Sequence, residues 1–225
     1  MRILITSDST DMGKILTDGL SFENEVVQAN LCTLPGISPS IPDLVTGIDA
    51  IVHFLDTDAK MDVSELLDSA MRGTYDLLWS AAHEGISRVV FLSSLTLFSK
   101  YDEAMRVTET WRPKVTTAPK ILCNHLAEYV CREFAREGRV SIVCLRLGEL
   151  VLDPSQQNID SGIYPEDAVH AVKRALEFDL PLGKTTELPQ RWNIFHVQSE
   201  THNARFPLDN ARSTLGFEPT QRYQR

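Results

Sequence analysis

Short apolar, β-branched runs alternate with longer stretches of helical periodicity along nearly the whole chain. The runs that predict strands are residues 2–6, 25–30, 50–54, 88–93, 141–145 and 192–197. The helical patterns are residues 13–20, 63–83, 118–137, 165–178 and 208–215. This order is typical of a parallel sheet, because parallel strands need crossover connections that are usually helices. We therefore predict an α/β fold with a doubly wound parallel sheet.

Length and charge narrow the class of protein. The 225 residues fit one domain, and we predict that residues 1–225 form a single unit. A net charge of −9 without a basic stripe predicts no nucleic-acid partner. The N-terminus reads as a strand rather than a signal peptide, and no apolar run is long enough for a membrane span. We expect a cytoplasmic protein with no membrane association.

The four cysteines predict neither a disulfide framework nor a metal site. Cys32, Cys123, Cys131 and Cys144 form no CxxC pair, and the middle two lie eight residues apart on one predicted helix. We interpret all four as buried thiols in a reducing compartment. The histidines also lack metal-ligand spacing with a carboxylate, so no metal is expected.

Seven short motifs, in a fixed order, cover nearly the whole chain. They are residues 47–53 (GIDAIVH), 72–82 (RGTYDLLWSAA), 87–94 (SRVVFLSS), 125–128 (HLAE), 145–148 (LRLG), 166–169 (EDAV) and 208–219 (LDNARSTLGFEP). In this order they resemble the NAD-dependent epimerase/dehydratase family of extended short-chain dehydrogenases. The resemblance implies a Rossmann-type fold and NAD or NADP as the cofactor. The part of the chain from about residue 151 corresponds to a shortened substrate region, and this compact ending is loosely similar to uronate dehydrogenases.

The first turn departs from the family pattern T-G-x-x-G-x-x-G. Thr6 and Gly13 are retained, but Ser7 and Thr10 replace two glycines that let the backbone approach a pyrophosphate. Asp8 and Asp11 add carboxylates at the positive end of a helix, where they can cap free N–H groups and repel phosphate. We expect this loop to cap itself and bind no dinucleotide. The alternative is that it still binds an anion with help from Lys14.

The resemblance also marks the other cofactor positions. Asn30 stands where the family has an acidic residue that accepts hydrogen bonds from the adenosine ribose, and an amide is a weaker acceptor. Met12, Phe54 and Leu55 lie at further cofactor-lining positions. These replacements together predict that NAD or NADP is bound weakly or not at all.

The catalytic residues of the family are mostly replaced. The resemblance implies hydride transfer, with a tyrosine as acid/base, a lysine four residues later, and a serine or threonine that orients the substrate. Ser94 matches the serine, although capping of local backbone would also suit it. Lys120 and Asn124 occupy the tyrosine and lysine positions, and Ala70 replaces a family asparagine. We predict a site without hydride-transfer chemistry.

Three functions remain open from the sequence. The first is a non-catalytic family member that binds a nucleotide, a metabolite or a protein partner, as a homodimer or paired with an active relative. The resemblance places such an interface on the two long helices, residues 63–83 and 118–137. The second is an active NAD(P)-dependent oxidoreductase or epimerase on a sugar or sugar acid, with an unusual acid/base residue. The third is a structural subunit with an empty crevice.

Overall fold

A six-stranded parallel sheet organises the computed structural model, which describes residues 1–7, 10–31, 40–56, 62–153, 161–179, 191–201 and 204–222. The strand order is β2-β1-β3-β4-β5-β8, all parallel. The strands are β1 (Arg2–Ile5), β2 (Glu25–Gln28), β3 (Ala50–His53), β4 (Arg88–Ser94), β5 (Ser141–Leu147) and β8 (Trp192–Val197). The predicted α/β class and Rossmann-type sheet are thus confirmed.

The helices form a layer on each face of the sheet. They are α1 (Asp11–Leu20), α2 (Ile41–Val45), α3 (Val63–Asp68), α4 (Thr74–His83), α5 (Pro119–Arg136) and α6 (Pro165–Glu177). One apolar cluster joins the sheet to α1 and α6, and a second joins it to α4 and α5. Alternate residues of each strand feed the two clusters: Ile3 and Ile5 point to the first, and Leu4 to the second. The runs AIVH and SIVCLRL are buried on both faces for this reason.

Several element boundaries differ from the sequence expectation. The predicted helix 63–83 is interrupted by a π turn at Ser69–Gly73, between α3 and α4. The last predicted helix, residues 208–215, is helical over residues 209–215, where two α-helical residues lead into a π turn at Ala211–Leu215. Two short strands, β6 (Glu149–Leu150) and β7 (Gly162–Ile163), pair in a separate small sheet that periodicity did not reveal. Strands of two residues are too short to carry an alternation signal.

Residues 34–42, which are rich in proline and serine, lie outside the helical patterns of the sequence and were expected to form a loop, which is wrong for their last two residues. Ile41 and Pro42 begin α2, where Ser40 and Asp43 form a capping box. Proline is well tolerated there because the first N–H groups of a helix have no intrahelical partner. The remainder of this loop, and Cys32, lie outside the described residues. The other three cysteines are buried free thiols, as predicted, and burial raises the pKa of Cys131 and Cys144.

The region after residue 151 returns to the main sheet. It supplies α6 and the sixth strand β8, and it ends against a buried carboxylate. Asp167 is fully buried and accepts hydrogen bonds from the hydroxyls of Ser199 and Thr220 and from the backbone N–H groups of Thr220 and Gln221. These contacts fasten the C-terminal segment to the start of α6, and they satisfy a charge that would otherwise be costly to bury.

A buried ion pair connects α5 to β5. Arg146 donates to Glu128 through Nε and Nη2, both at 2.8 Å, and the two side chains are only 5% and 7% exposed. The guanidinium carbon lies 4.9 Å from the ring centre of Phe98. The two residues come from motifs that we placed separately on a helix and a strand. An arginine in an otherwise apolar strand was the sequence signal that such a partner must exist.

Candidate functional site

The crevice of a doubly wound sheet lies where the strand order reverses, at the carboxyl ends of the strands. Here the chain leaves β2 on one side of β1 and returns as β3 on the other side. Thr6 and Phe54 follow β1 and β3, and their backbones meet through the Thr6 hydroxyl, which accepts from Phe54 N–H at 3.2 Å. The sequence therefore brings the first turn and the end of β3 together, as the resemblance implied.

A buried histidine braces this junction. His53 Nδ1 lies 2.8 Å from Thr6 Oγ1, and its Nε2 lies 3.0 Å from Thr74 Oγ1 on α4. Burial lowers the pKa of His53 to about 3, so its imidazole is neutral at physiological pH. His53 thus ties β1, β3 and α4 together. The sequence had placed it on a buried strand without naming its partners, because those partners are distant in the chain.

The first turn satisfies its own hydrogen bonds. Thr10 is the N-cap of α1, and its hydroxyl accepts from Gly13 N–H at 3.0 Å and lies 2.9 Å from Ser7 Oγ. Ser7 is fully buried, and its carbonyl accepts from the Gln28 side chain at 3.3 Å. The cap is therefore Thr10 and not Asp11, whose carboxylate is exposed in the first turn. Asp8 lies outside the described residues.

Gly13 keeps the close approach that the family motif requires. A Cβ added at this position would lie 2.7 Å from the Ser7 carbonyl oxygen, so no other residue fits without a backbone shift. Beside it, Met12 packs on the apolar cluster beneath α1. The framework of the motif survives, but its phosphate-binding part is changed.

The residues of this turn do not fit a dinucleotide in the family manner. A pyrophosphate would need the free N–H groups at the N-terminus of α1. The Gly13 N–H already has an acceptor, and a threonine side chain stands where the family has glycine. At the far end, Asn30 is half-buried just beyond β2. Phe54 is buried in the apolar core and Leu55 packs against two apolar clusters, so both serve packing.

The three residues at catalytic positions each make local contacts. Ser94 ends β4, lies 2.9 Å from the Thr96 hydroxyl, and accepts from Thr96 N–H at 3.2 Å, so it caps the short 3-10 turn Leu95–Phe98. Lys120 lies in the first turn of α5 with an exposed side chain. The Asn124 amide donates to the Lys120 carbonyl at 3.0 Å, within the same helix. Each of these contacts of Ser94 and Asn124 is thus local to the end of a strand or to one turn of a helix.

Two tyrosines near these positions in the sequence, Tyr101 and Tyr129, make contacts of other kinds. Tyr101 donates its hydroxyl to the Arg112 carbonyl at 2.9 Å, and its ring is covered by Lys114 at 4.0 Å. Tyr129 is 46% exposed on α5 and packs against Arg132.

Among the described residues, no group of three or more His, Cys, Asp or Glu side chains is placed to hold a metal ion. In the same part of the chain, no helix is long and apolar enough to cross a membrane.

The fold and the order of the motifs can now be compared with known protein families. A sequence profile of the NAD dependent epimerase/dehydratase family matches residues 5–197. This span covers most of the chain, so the chain belongs to that family.

Individual relatives are more distant. The "uncharacterized protein YtbQ" of Bacillus subtilis (strain 168) is 22% identical, over 97% of this chain and 93% of its own length. A uronate dehydrogenase of Pseudomonas syringae pv. tomato is 24% identical, over 78% of this chain and 69% of its own length. The solved uronate dehydrogenase from Agrobacterium tumefaciens superposes with a TM-score of 0.80 at 18% identity, covering 98% of this chain and 85% of that one. The structural likeness establishes the fold.

Proposed function

We propose that this chain is a member of the epimerase/dehydratase family that works by binding and not by hydride transfer. The observation that carries the proposal is that the Thr10 hydroxyl accepts from the Gly13 N–H, one of the N–H groups at the start of α1 that a pyrophosphate would need. The replacement of the family's tyrosine by Lys120 and of its lysine by Asn124 also supports the proposal. General acid–base catalysis typically contributes a factor of about 10²–10⁴ in rate.

A binding assay with designed variants tests this proposal. We expect wild-type protein to show no thermal shift with NAD⁺, NADH, NADP⁺ or NADPH. A dinucleotide that binds, present at about 100 times its Kd, would add about 2.7 kcal/mol to the free energy of unfolding. In a protein of this length each kcal/mol raises the Tm by about 2–4 °C. The double variant Ser7→Gly/Thr10→Gly restores the glycine pattern and should gain measurable NAD⁺ affinity. The matched control Ser21→Gly/Thr17→Gly, at the other end of α1, should gain none.

The competing function is an active oxidoreductase on a sugar acid, favoured by the similarity to uronate dehydrogenases. It predicts NADH formation, followed at 340 nm, when the protein is mixed with NAD⁺ and glucuronate or galacturonate. A clear thermal shift of wild-type protein with a dinucleotide, together with turnover, would overturn the binding proposal. A characterised uronate dehydrogenase run in parallel establishes that the assay detects the reaction.

We also propose that the chain forms a homodimer through α4 and α5. Three aromatic side chains on these helices are 41–47% exposed: Tyr75, Trp79 and Tyr129. Together with Val130 and the edge of Phe134 they line a mostly apolar groove, which we call the aromatic patch. Exposed apolar patches of this kind commonly mark interaction sites.

Substitution of the aromatic patch should separate the subunits. Trp79→Glu places a charge at its centre and should convert a species of twice 25.3 kDa into one of 25.3 kDa by light scattering. Phe22→Glu is the matched control, because Phe22 is 89% exposed but lies outside the patch, just after α1. A wild-type protein that is monomeric at 50 µM or so would contradict the homodimer and favour a different partner on this patch.

A further inference from the structure

The segment between β4 and α5 reaches the carboxyl end of β8, the last strand of the sheet. We call residues 101–114 of this segment the strap. Val107 in the strap is fully buried, and its N–H donates to the Arg205 carbonyl at 2.9 Å. Glu109 accepts from the His196 N–H at 3.1 Å. These contacts fasten the strap to the end of β8 and to the segment that follows it.

A buried histidine lies beneath the strap. His196 is fully buried, and neither of its ring nitrogens has a hydrogen-bond partner among the described residues. The rings of Phe98 and Phe206 pack edge-on against it, at 5.3 and 5.5 Å. The backbone of Val107 lies close enough to favour the protonated ring. Burial of a polar group without a partner costs about 1–3 kcal/mol, so His196 would gain from contact with water.

The charged groups around His196 come from each element that packs on it. Arg146 is its register partner on β5, and Glu128 of α5 pairs with that arginine. The Glu109 carboxylate of the strap lies on the His196 backbone, and Arg205 lies against the Phe206 ring at 5.2 Å. Burial and the charge of Arg146 lower the pKa of His196 to about 3. The closed strap therefore excludes the protonated ring.

A cavity of about 510 Å³ lies behind the other half of the strap. Four strap residues between positions 109 and 113 form one wall, and Trp192 and Ile194 of β8 form part of another. Alternate residues of a strand point to the same face, so His196 is the next side chain along β8 on the face that the cavity occupies. Displacement of the strap would extend the cavity to His196.

We propose that the strap is an acid-released lid, which leaves β8 as His196 takes up a proton and opens the cavity to the end of the sheet. The open state gives both ring nitrogens access to water. It also relieves the imidazolium of an apolar cage beside Arg146. The device concerns another part of the molecule than the first turn and the aromatic patch, and it does not depend on the proposed function.

The direction of the pH effect follows from the two states of His196. In the open state its pKa returns to the ordinary value of about 6.5, whereas in the closed state it is about 3. Protons therefore bind the open state first, and the strap opens more readily as the pH falls below 6.5. Between pH 8 and pH 5 the opening constant should rise about 30-fold.

Hydrogen exchange on the intact chain measures this opening. The Val107 and Lys114 N–H groups donate to carbonyls outside the strap, so their exchange reports its release. After correction for intrinsic exchange rates, we expect an opening constant about 30-fold larger at pH 5 than at pH 8. Phe91, buried in β4, reports global unfolding and should be more protected at both pH values. Strap protection that is independent of pH, or equal to that of Phe91, would overturn the proposal.

Three variants assign the pH dependence to one group. His196→Phe suits the aromatic cage and should bring the ratio of opening constants at pH 5 and pH 8 within about twofold of unity. Glu109→Ala removes a fastening and should raise opening about tenfold or more at both pH values, with the ratio unchanged. His83→Gln, at the exposed end of α4, is the control and should keep the wild-type ratio. A wild-type ratio that persists in His196→Phe would reject His196 as the trigger.

Discussion

Glu128→Ala should lower the free energy of unfolding by about 3–5 kcal/mol, the usual cost of breaking one partner out of a buried ion pair. The reason is the isolation of Arg146, which keeps its charge and lies 4% exposed between Phe98 and the sheet. Removing its carboxylate partner leaves a guanidinium that bonds to no other carboxylate in the described part of the chain. Urea unfolding followed by tryptophan fluorescence and circular dichroism measures the change.

Removing both partners should cost much less. The double variant Glu128→Leu/Arg146→Met keeps the volume and leaves no charge unpaired, so its stability should lie within about 1 kcal/mol of wild type. If Glu128→Ala costs less than about 1 kcal/mol, then Arg146 is solvated in the folded chain, contrary to its burial. If the double variant is as unstable as the single one, then packing and not charge explains the loss.

Acidification should begin to destabilise the protein at a pH well above the range in which carboxylates titrate. Burial lowers the pKa of His53 to about 3, and burial together with the charge of Arg146 lowers the pKa of His196 to about 3. The folded values lie below the ordinary value of about 6.5, so protons bind the unfolded chain first. The two contributions to stability are complete above pH 6.5 and are lost as the pH falls toward 3. Between pH 8 and pH 5 we expect a loss of about 4 kcal/mol, roughly 2 from each histidine.

Single substitutions divide this pH dependence. His196 packs edge-on against Phe98 and Phe206, at 5.3 and 5.5 Å, so His196→Phe suits its surroundings and should remove about half of the loss. His53→Gln should remove the other half, at a cost in stability because Thr6 and Thr74 lose a shared partner. His83→Gln, exposed at the end of α4, is the matched control. Equal unfolding free energies at pH 8 and pH 5 in wild type would contradict the prediction.

Most of the fold was predictable because its signals are local. The strands β3 and β5 are near-continuous apolar runs, and Pro165 begins α6 because its fixed φ suits the first turn of a helix. The predicted helix 118–137 stops before Gly138, whose φ of +76° is one that other residues rarely adopt. The order of the seven motifs then supplied the parallel topology, which no single motif determines.

The candidate site was less predictable because its contacts are distant in sequence. The sequence pointed to Asp8 and Asp11 as the capping residues, and the turn geometry instead makes the Thr10 hydroxyl the cap. Arg146 and Glu128 stood in separate motifs, and their ion pair depends on how α5 crosses β5. Whether Lys120 and Asn124 stand at a dead catalytic site stays a prediction that turnover assays decide.

The π turn at Ser69–Gly73 changes the direction in which the side chains of α4 point relative to those of α3. A π turn contains one residue more than an α-helical turn, which is how an inserted residue is accommodated without breaking a helix. Deleting that residue would rotate everything after it by about 100°. Thr74 would leave its position opposite His53, and Trp79 would turn away from the surface that it shares with α5. The His53–Thr74 contact behind the crevice and the aromatic patch on the outside therefore depend on the same insertion, and deleting that one residue would disrupt both.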